Sequence, residues 1–132
     1  MREITLQSDI QYPHHSVQLT TGQYVVCHGV GYSGLHGVCV VDDDGKVTRS
    51  YGGKRGSDVG QLAGPCRLAV DKDSQFIFVA DTCNDRVVLL SPMLEFVRYI
   101  EGLSHPWRLY FHQSTRRLFV GLYDGDVSVI EL

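Results

Sequence analysis

Three proline-led segments that resemble one another constrain this chain more than any other feature. They contain Pro13, Pro65 and Pro106, and each proline opens an apolar run that leads through a polar turn to a second run. The interval from Pro65 to Pro106 lies within a repeat period of roughly 40–45 residues, and a glycine-rich stretch at 29–37 lengthens the first interval. A unit of this size cannot bury a core alone, so stacked repeats are expected.

The middle repeat shows what each unit contains. Its apolar runs are short and rich in β-branched and aromatic residues: Arg67–Asp71, Phe76–Ala80, Arg86–Leu90 and Glu95–Ile100. The first three are separated by Asp-, Asn- and Ser-rich turns, whose side chains bond to the backbone and favour tight reversals. We therefore predict a four-stranded antiparallel meander, which is the blade of a β-propeller. Blade one spans 13–53, blade two with the loop before it 54–102, and an incomplete blade three 103–132.

About forty residues of this repeat carry a recognisable pattern. It consists of Gly56, Gly60, Leu62, Pro65, Leu68-Ala69-Val70-Asp71, Val79-Ala80-Asp81, Asn84 and Arg86-Val87. In these positions the chain resembles the NHL-repeat family, as in the NHL domain of tripartite-motif proteins. The resemblance implies an all-β propeller of NHL type, but it implies no particular activity because propellers carry many unrelated ones.

The two ends of the chain suggest how such a propeller would close. Blade three lacks its fourth strand, whereas Arg2–Ile10 precedes the first proline where an outer strand belongs. Three blades are fewer than the roughly four to eight of closed propellers. We predict a six-bladed ring of two chains related by a two-fold axis, each with three blades. Residues 1–12 would close the partner's last blade, with Ile4 and Leu6 meeting Val127 and Val129. The alternative is half of a longer propeller, which would leave an exposed strand edge.

Composition limits the classes of protein. Hydrophobic residues make up 43% and charged residues 20%, and no apolar run reaches the roughly 18 residues of a membrane helix. The net charge of -3 argues against bulk attraction of nucleic acid. The first residues hold no apolar leader, so we predict a cytoplasmic protein without membrane contact. Cys27 and Cys39 are expected as small core residues, with a disulfide between them as the alternative.

The loops at one rim of the propeller are the expected binding surface. His15, Arg67 and Arg108 each lie two residues after a proline, so their side chains should converge on the channel mouth. They form either a cationic ring for an anionic ligand or internal braces between blades. Trp107 beside Arg108 forms either a stacking platform or a buried plug between blades. Four further candidates lie in the rim loops: Tyr32, Arg55, Arg86 and Tyr123.

No arrangement of residues points to catalysis. The chain shows no nucleophile with its base, no phosphate-binding loop and no paired carboxylates, and adjacent His14 and His15 would point to opposite sides of a strand. We therefore predict no cofactor and no metal, and a non-enzymatic scaffold module that binds a protein or peptide and its own copy. The resemblance leaves two alternatives: a single-stranded RNA-binding NHL domain, or a metal-dependent lyase or lactonase-like propeller enzyme.

Overall fold

A computed structural model describes residues 3–32 and 34–132. The described residues form eleven β-strands and one short 3-10 helix (Thr82–Asn84). Sheet 1 consists of β1 (Pro13–Gln18), β2 (Tyr24–His28), β3 (Leu35–Val41) and β4 (Val47–Lys54). Sheet 2 consists of β5 (Pro65–Val70), β6 (Ile77–Asp81), β7 (Arg86–Leu90) and β8 (Phe96–Glu101). Sheet 3 consists of β9 (Pro106–His112), β10 (Arg117–Leu122) and β11 (Val127–Glu131).

Each sheet is an antiparallel meander in which neighbouring strands are consecutive in the chain. Pro13 and Pro65 each begin the first strand of their sheet, and the register shifts directly after each of them. Proline has no N–H to donate to the ladder, so a register shift beside it is expected. The all-β prediction is confirmed. The three antiparallel sheets begin at Pro13, Pro65 and Pro106.

Apolar side chains that alternate along the strands join the sheets face to face. One buried cluster joins sheets 1 and 2; its members include Val25, Cys27, Val38, Val40, Leu62, Leu68, Ile77, Val79, Val88 and Leu90. A second cluster joins sheets 2 and 3; its members are Ala69, Phe78, Val87, Leu103, Phe111, Leu118 and Val120. Sheet 2 therefore lies between the other two, which leaves sheets 1 and 3 each with one face turned away from it.

The outward face of sheet 1 is covered by the N-terminal segment, residues 3–12. Leu6 and Ile10 of this segment pack against Val26, Cys39 and Val41. We call Tyr24, Val26, Cys39 and Val41 the covered face of sheet 1. The side-chain oxygen of Gln7 accepts a hydrogen bond from the backbone N–H of Val47.

The strand predicted at Arg2–Ile10 is not formed by the described residues of this segment, and Arg2 lies outside them. Ile4 and Leu6 line a cavity on sheet 1 of their own chain. Their contact with Val127 and Val129 of a partner copy stays a prediction. Within one chain the segment lies beside the apolar face formed by Val26, Cys39 and Val41. Burying that face is more favourable than leaving it in water.

No segment within residues 3–32 and 34–132 covers the outward face of sheet 3 in this way. This face carries Tyr110, Phe119, Val127 and Val129, which we call the open face of sheet 3. Tyr110, Val127 and Val129 are 59%, 62% and 51% exposed. Phe119 packs beside Tyr110, with ring centroids 6.1 Å apart. Within the described chain, β11 has a strand partner on one side only.

All four cysteines are free thiols. Cys27 and Cys39 are buried, and burial raises the pKa of each to about 12. The prediction of small core residues is confirmed for both. Among the described residues, no helix is long and apolar enough to cross a membrane.

Candidate functional site

The first strands of the three sheets bring His15, Arg67 and Arg108 into equivalent positions. In the register these residues lie opposite Cys27, Ala80 and Gly121 of the neighbouring strands. Burial lowers the pKa of His15, and the positive charges of Arg67 and then Arg108 lower it further. The charges of both arginines thus act on the His15 ring.

His15 acts as a brace between two sheets. Its Nδ1 accepts a hydrogen bond from the backbone N–H of Leu68 at 3.0 Å. A ring nitrogen that accepts is unprotonated, which agrees with the lowered pKa of His15. For this residue the bracing interpretation describes the structure better than the ligand-binding one.

The two arginines are placed differently. Arg67 donates to the backbone oxygen of Cys66 at 2.8 Å, and the guanidinium of Arg108 lies over the Trp107 ring at 4.6 Å. Among residues 3–32 and 34–132, neither arginine forms an ion pair with a carboxylate. Both therefore keep charge that an anionic group of a ligand can neutralise.

Aromatic rings surround Arg108 at the start of sheet 3. The ring of Tyr123 lies 6.3 Å from that of Trp107 and 6.4 Å from that of His105. Trp107 is 40% exposed and Tyr123 77% exposed, so Trp107 is not a buried plug. We call His105, Trp107, Arg108 and Tyr123 the rim platform. It offers two exposed aromatic rings and one cation on the same surface.

Cys66 of β5 and Thr82 of the 3-10 helix hold the backbone under the rim platform. The Thr82 hydroxyl donates to the Pro106 oxygen at 2.6 Å, and the Cys66 sulfur lies 2.8 Å from that hydroxyl. Burial raises the pKa of Cys66, so its thiol stays protonated and neutral. The role of Thr82 is absent from the sequence predictions; a hydroxyl directly after β6 is the signal that could have indicated it.

The remaining rim candidates separate into a half-buried arginine beside an exposed tyrosine and one buried arginine. The guanidinium of Arg55 lies 4.8 Å from the centre of the Tyr32 ring, which is 88% exposed. Arg86, in contrast, is only 6% exposed. A side chain buried to this extent is not available to a partner, so the structure corrects the placement of Arg86 at the binding surface.

Arg86 instead binds the loop that precedes sheet 2. Its Nε donates to Asp81 Oδ2 at 2.8 Å, and its two terminal nitrogens donate to the backbone oxygens of Ser57 and Gln61 at 2.9 and 3.2 Å. The guanidinium also lies 3.9 Å from the centre of the Tyr99 ring. These contacts satisfy a buried cation and fix the loop at the same time.

Asp81 completes this buried network. Its Oδ1 accepts from the backbone N–H of Ala63 at 2.7 Å, and its Oδ2 accepts from Asn84 Nδ2 at 2.9 Å. Asn84 also donates to the backbone oxygen of Gly56 at 2.8 Å. Asp81, Asn84 and Arg86 thus stabilise the fold, and the residues that face solvent at the rim are the candidates for recognition.

Metal ligands do not cluster in the part of the chain that the structure describes: no three His, Cys, Asp or Glu residues there are placed to hold an ion. Several histidines bond to the backbone. His14 Nε2 lies 2.7 Å from the oxygen of Gly29, and His36 Nδ1 accepts from the N–H of Gly64 at 2.9 Å.

No protein-family model and no curated protein matches the sequence. Solved structures do match. A protein of Bacteroides fragilis described as exported has a TM-score of 0.74 and 13% identity over 97% of this chain and 37% of its own. Virginiamycin B lyase of Staphylococcus aureus, in a catalytically inactive form with quinupristin, has a TM-score of 0.60 and 11% identity over 91% and 41%. A streptogramin B lyase has a TM-score of 0.60 and 14% identity over 99% and 44%.

These likenesses support a propeller-like all-β fold and, at such identities, nothing finer. The chain spans less than half the length of each of the three structures. One prediction needs correction. The cytoplasmic location, which rested on the lack of an apolar leader, is contradicted by the exported protein among these structures and is withdrawn.

Proposed function

We propose that this chain is a non-enzymatic recognition module, a propeller of NHL type whose rim platform binds a protein or peptide partner. The observation that carries the proposal is the exposed Trp107 ring with the Arg108 guanidinium stacked on it at 4.6 Å. Exposed tryptophan, tyrosine and arginine are the side chains enriched at the centres of protein interfaces. Here they lie together on backbone that the hydrogen bond from Thr82 holds in place.

The charge at the rim indicates what kind of peptide would fit. Arg67 and Arg108 have no carboxylate partner among the described residues, although the chain as a whole has a net charge of -3. An acidic side chain can accept two parallel hydrogen bonds from a guanidinium. We therefore expect a segment with acidic and aromatic residues, the aromatic ones packing on Trp107 and Tyr123.

Two other functions draw on specific observations. Exposed aromatic rings beside arginines also suit single-stranded RNA, which stacks its bases and places its phosphates near cations. We rank RNA binding second because the net charge of -3 disfavours attraction of nucleic acid. Two of the similar structures are lyases, which favours an enzyme as third candidate. The histidine at the predicted channel mouth is His15. Its Nδ1 already accepts a hydrogen bond from the backbone N–H of Leu68, which speaks against a catalytic role for that nitrogen.

The proposal includes a ring of six blades made by two copies of the chain. Its support is the open face of sheet 3, which is apolar where a further blade would pack. Light scattering of the purified chain should give twice the 14.8 kDa mass of one copy. A folded single copy at all protein concentrations would contradict the ring but not the rim platform.

Replacing Arg67 and Arg108 together by glutamate should weaken peptide binding roughly hundred-fold or more, because each lost charged hydrogen bond is worth about 1.5–3 kcal/mol. The probe is a fluorescein-labelled peptide of alternating glutamate and tyrosine, followed by anisotropy. A labelled oligouridine, titrated at two salt concentrations, tests the RNA alternative.

The matched control replaces Arg49 and Arg98 by glutamate. Both are exposed and lie on the outer strands β4 and β8, and the net charge changes equally. Equal losses in the two double variants would rule out the rim as the binding site. Unfolding of the Arg67 and Arg108 variant, seen by circular dichroism, would show that these arginines brace the sheets.

A further inference from the structure

The open face of sheet 3 has the composition of an interior. In the strand register, Phe119, Val127 and Val129 hold the positions that Phe78, Val87 and Leu89 hold in sheet 2. The three residues of sheet 2 belong to the core between sheets 2 and 3. A face built to this pattern is suited to packing against another sheet rather than to contact with water.

The covered face of sheet 1 is filled incompletely. Between the N-terminal segment and this face lies a cavity of about 450 Å³, and most of its lining is apolar. Its apolar walls include Ile4, Leu6, Val26 and Val41. The cavity is open to solvent on one side, so the segment covers this face only in part. The segment is therefore a looser cover than a packed sheet would be.

The N-terminal segment has the alternating pattern of a β-strand but pairs with no strand among the described residues. Ile4 and Leu6 are half-buried, whereas Glu3, Thr5 and Gln7 are exposed, which is the two-residue period of a strand. In the described chain, the hydrogen bond that joins this segment to sheet 1 is the one from Val47 to the Gln7 side chain. If the segment moved, this hydrogen bond and the apolar contacts of Leu6 and Ile10 would be lost, and packing of another apolar face on sheet 1 would replace those contacts.

We propose that the N-terminal segment is an exchangeable cover, displaced from sheet 1 when the open face of sheet 3 of a second copy packs there. The inference rests on the two-copy ring proposed above. After displacement, residues 3–10 lie free to add to the unpaired edge of β11 in that second copy. Such strand addition supplies the edge with backbone hydrogen bonds.

Shape and chemistry favour a second copy as the occupant. The open face offers the aromatic rings of Tyr110 and Phe119, and the cavity beside Val26 and Val41 has apolar walls that can receive them. The contact between sheets 2 and 3 already uses such a pair, because Phe78 stacks on Phe111 at 5.2 Å. Sheet 1 of a second copy would thus continue the stacking that joins the sheets within one chain.

The experiment measures the dimer dissociation constant of four variants of the full chain by analytical ultracentrifugation. Val127→Asp places a carboxylate in the proposed interface and should weaken the dimer at least about hundred-fold. Its control is Val59→Asp: Val59 is 65% exposed, close to the 62% of Val127, but lies in the loop before sheet 2. Val59→Asp should leave the dimer unchanged.

The third variant, Gln7→Ala, should act in the opposite direction. It removes a hydrogen bond that only the covered state makes, so the dimer should tighten roughly five-fold per copy, or about thirty-fold in all. Gln18→Ala, which changes another exposed glutamine whose side chain makes a hydrogen bond, serves as control. Tightening by Gln7→Ala separates an exchangeable cover from a merely structural segment.

Each remaining outcome overturns the inference at a different level. A dimer that responds to neither Val127→Asp nor Gln7→Ala has its interface elsewhere, and the cover is then not exchanged although the two-copy state survives. A chain that stays a single copy at every concentration removes both the ring and the exchange. Peptide binding at the rim platform is measured separately and is unaffected by either result.

Discussion

Replacing Arg86 by alanine is expected to lower the free energy of unfolding by about 3–5 kcal/mol, because it leaves the buried carboxylate of Asp81 without its cation. Asp81 is completely buried, and Arg86 Nε lies 2.8 Å from its Oδ2. The change also removes the donors to the backbone oxygens of Ser57 and Gln61, so the loop before sheet 2 should loosen as well. Urea unfolding followed by circular dichroism gives the free energy.

The control is Arg117→Ala, which breaks an ion pair of similar length at the surface. Arg117 and Glu131 are 3.1 Å apart, and their side chains are 47% and 77% exposed. Exposed pairs contribute about 0–1 kcal/mol. If the two variants lose similar stability, Arg86 is not the brace that its contacts indicate.

Lowering the pH from 7.5 to 5 should destabilise the fold through two buried histidines. His28 and His36 are 6% and 1% exposed, and burial lowers the pKa of both. Asp9 partly offsets this effect at His28, whereas Arg55 adds to it at His36. The unfolded chain therefore takes up protons first as the pH falls below the ordinary histidine pKa of about 6.5.

The lower histidine pKa values of the folded chain make its stability decrease as the pH falls. The stability that these histidines contribute is complete above pH 6.5 and is lost as the pH falls towards their folded-state pKa values. Each imidazole contributes a slope of at most about 1.4 kcal/mol per pH unit. Urea unfolding at half-unit steps of pH measures how the free energy of unfolding changes with pH. His28→Asn should reduce the slope. A flat profile in the unchanged chain would contradict the prediction.

The sheets could be predicted closely because local chemistry determines them. The expected run Arg86–Leu90 is strand β7, and Phe76–Ala80 differs from β6 by one residue at each end. Proline at the start of each sheet and Asp-rich turns between strands act over a few residues. Such signals do not depend on which sheet packs against the strand.

The predictions that differ from the structure concern residues whose environment depends on distant parts of the chain. An alternating segment such as 3–7 suits a strand and equally suits a cover on an apolar face, and only the neighbouring sheet decides between them. Arg86 was assigned to the rim because it follows a turn. A strand register that places Asp81 directly opposite Arg86 could have indicated the buried ion pair.

The two outward faces also decide what assembly the chain can form. The open face of sheet 3 and the covered face of sheet 1 are different surfaces, so contact between them is head-to-tail, and each added copy presents the same pair of surfaces again. Such contacts give a closed ring of two copies only if the three sheets of one chain together span half a circle about the ring axis. A smaller or larger turn per copy would instead propagate a helical fibre, so the angle between neighbouring sheets separates a soluble ring from a polymer.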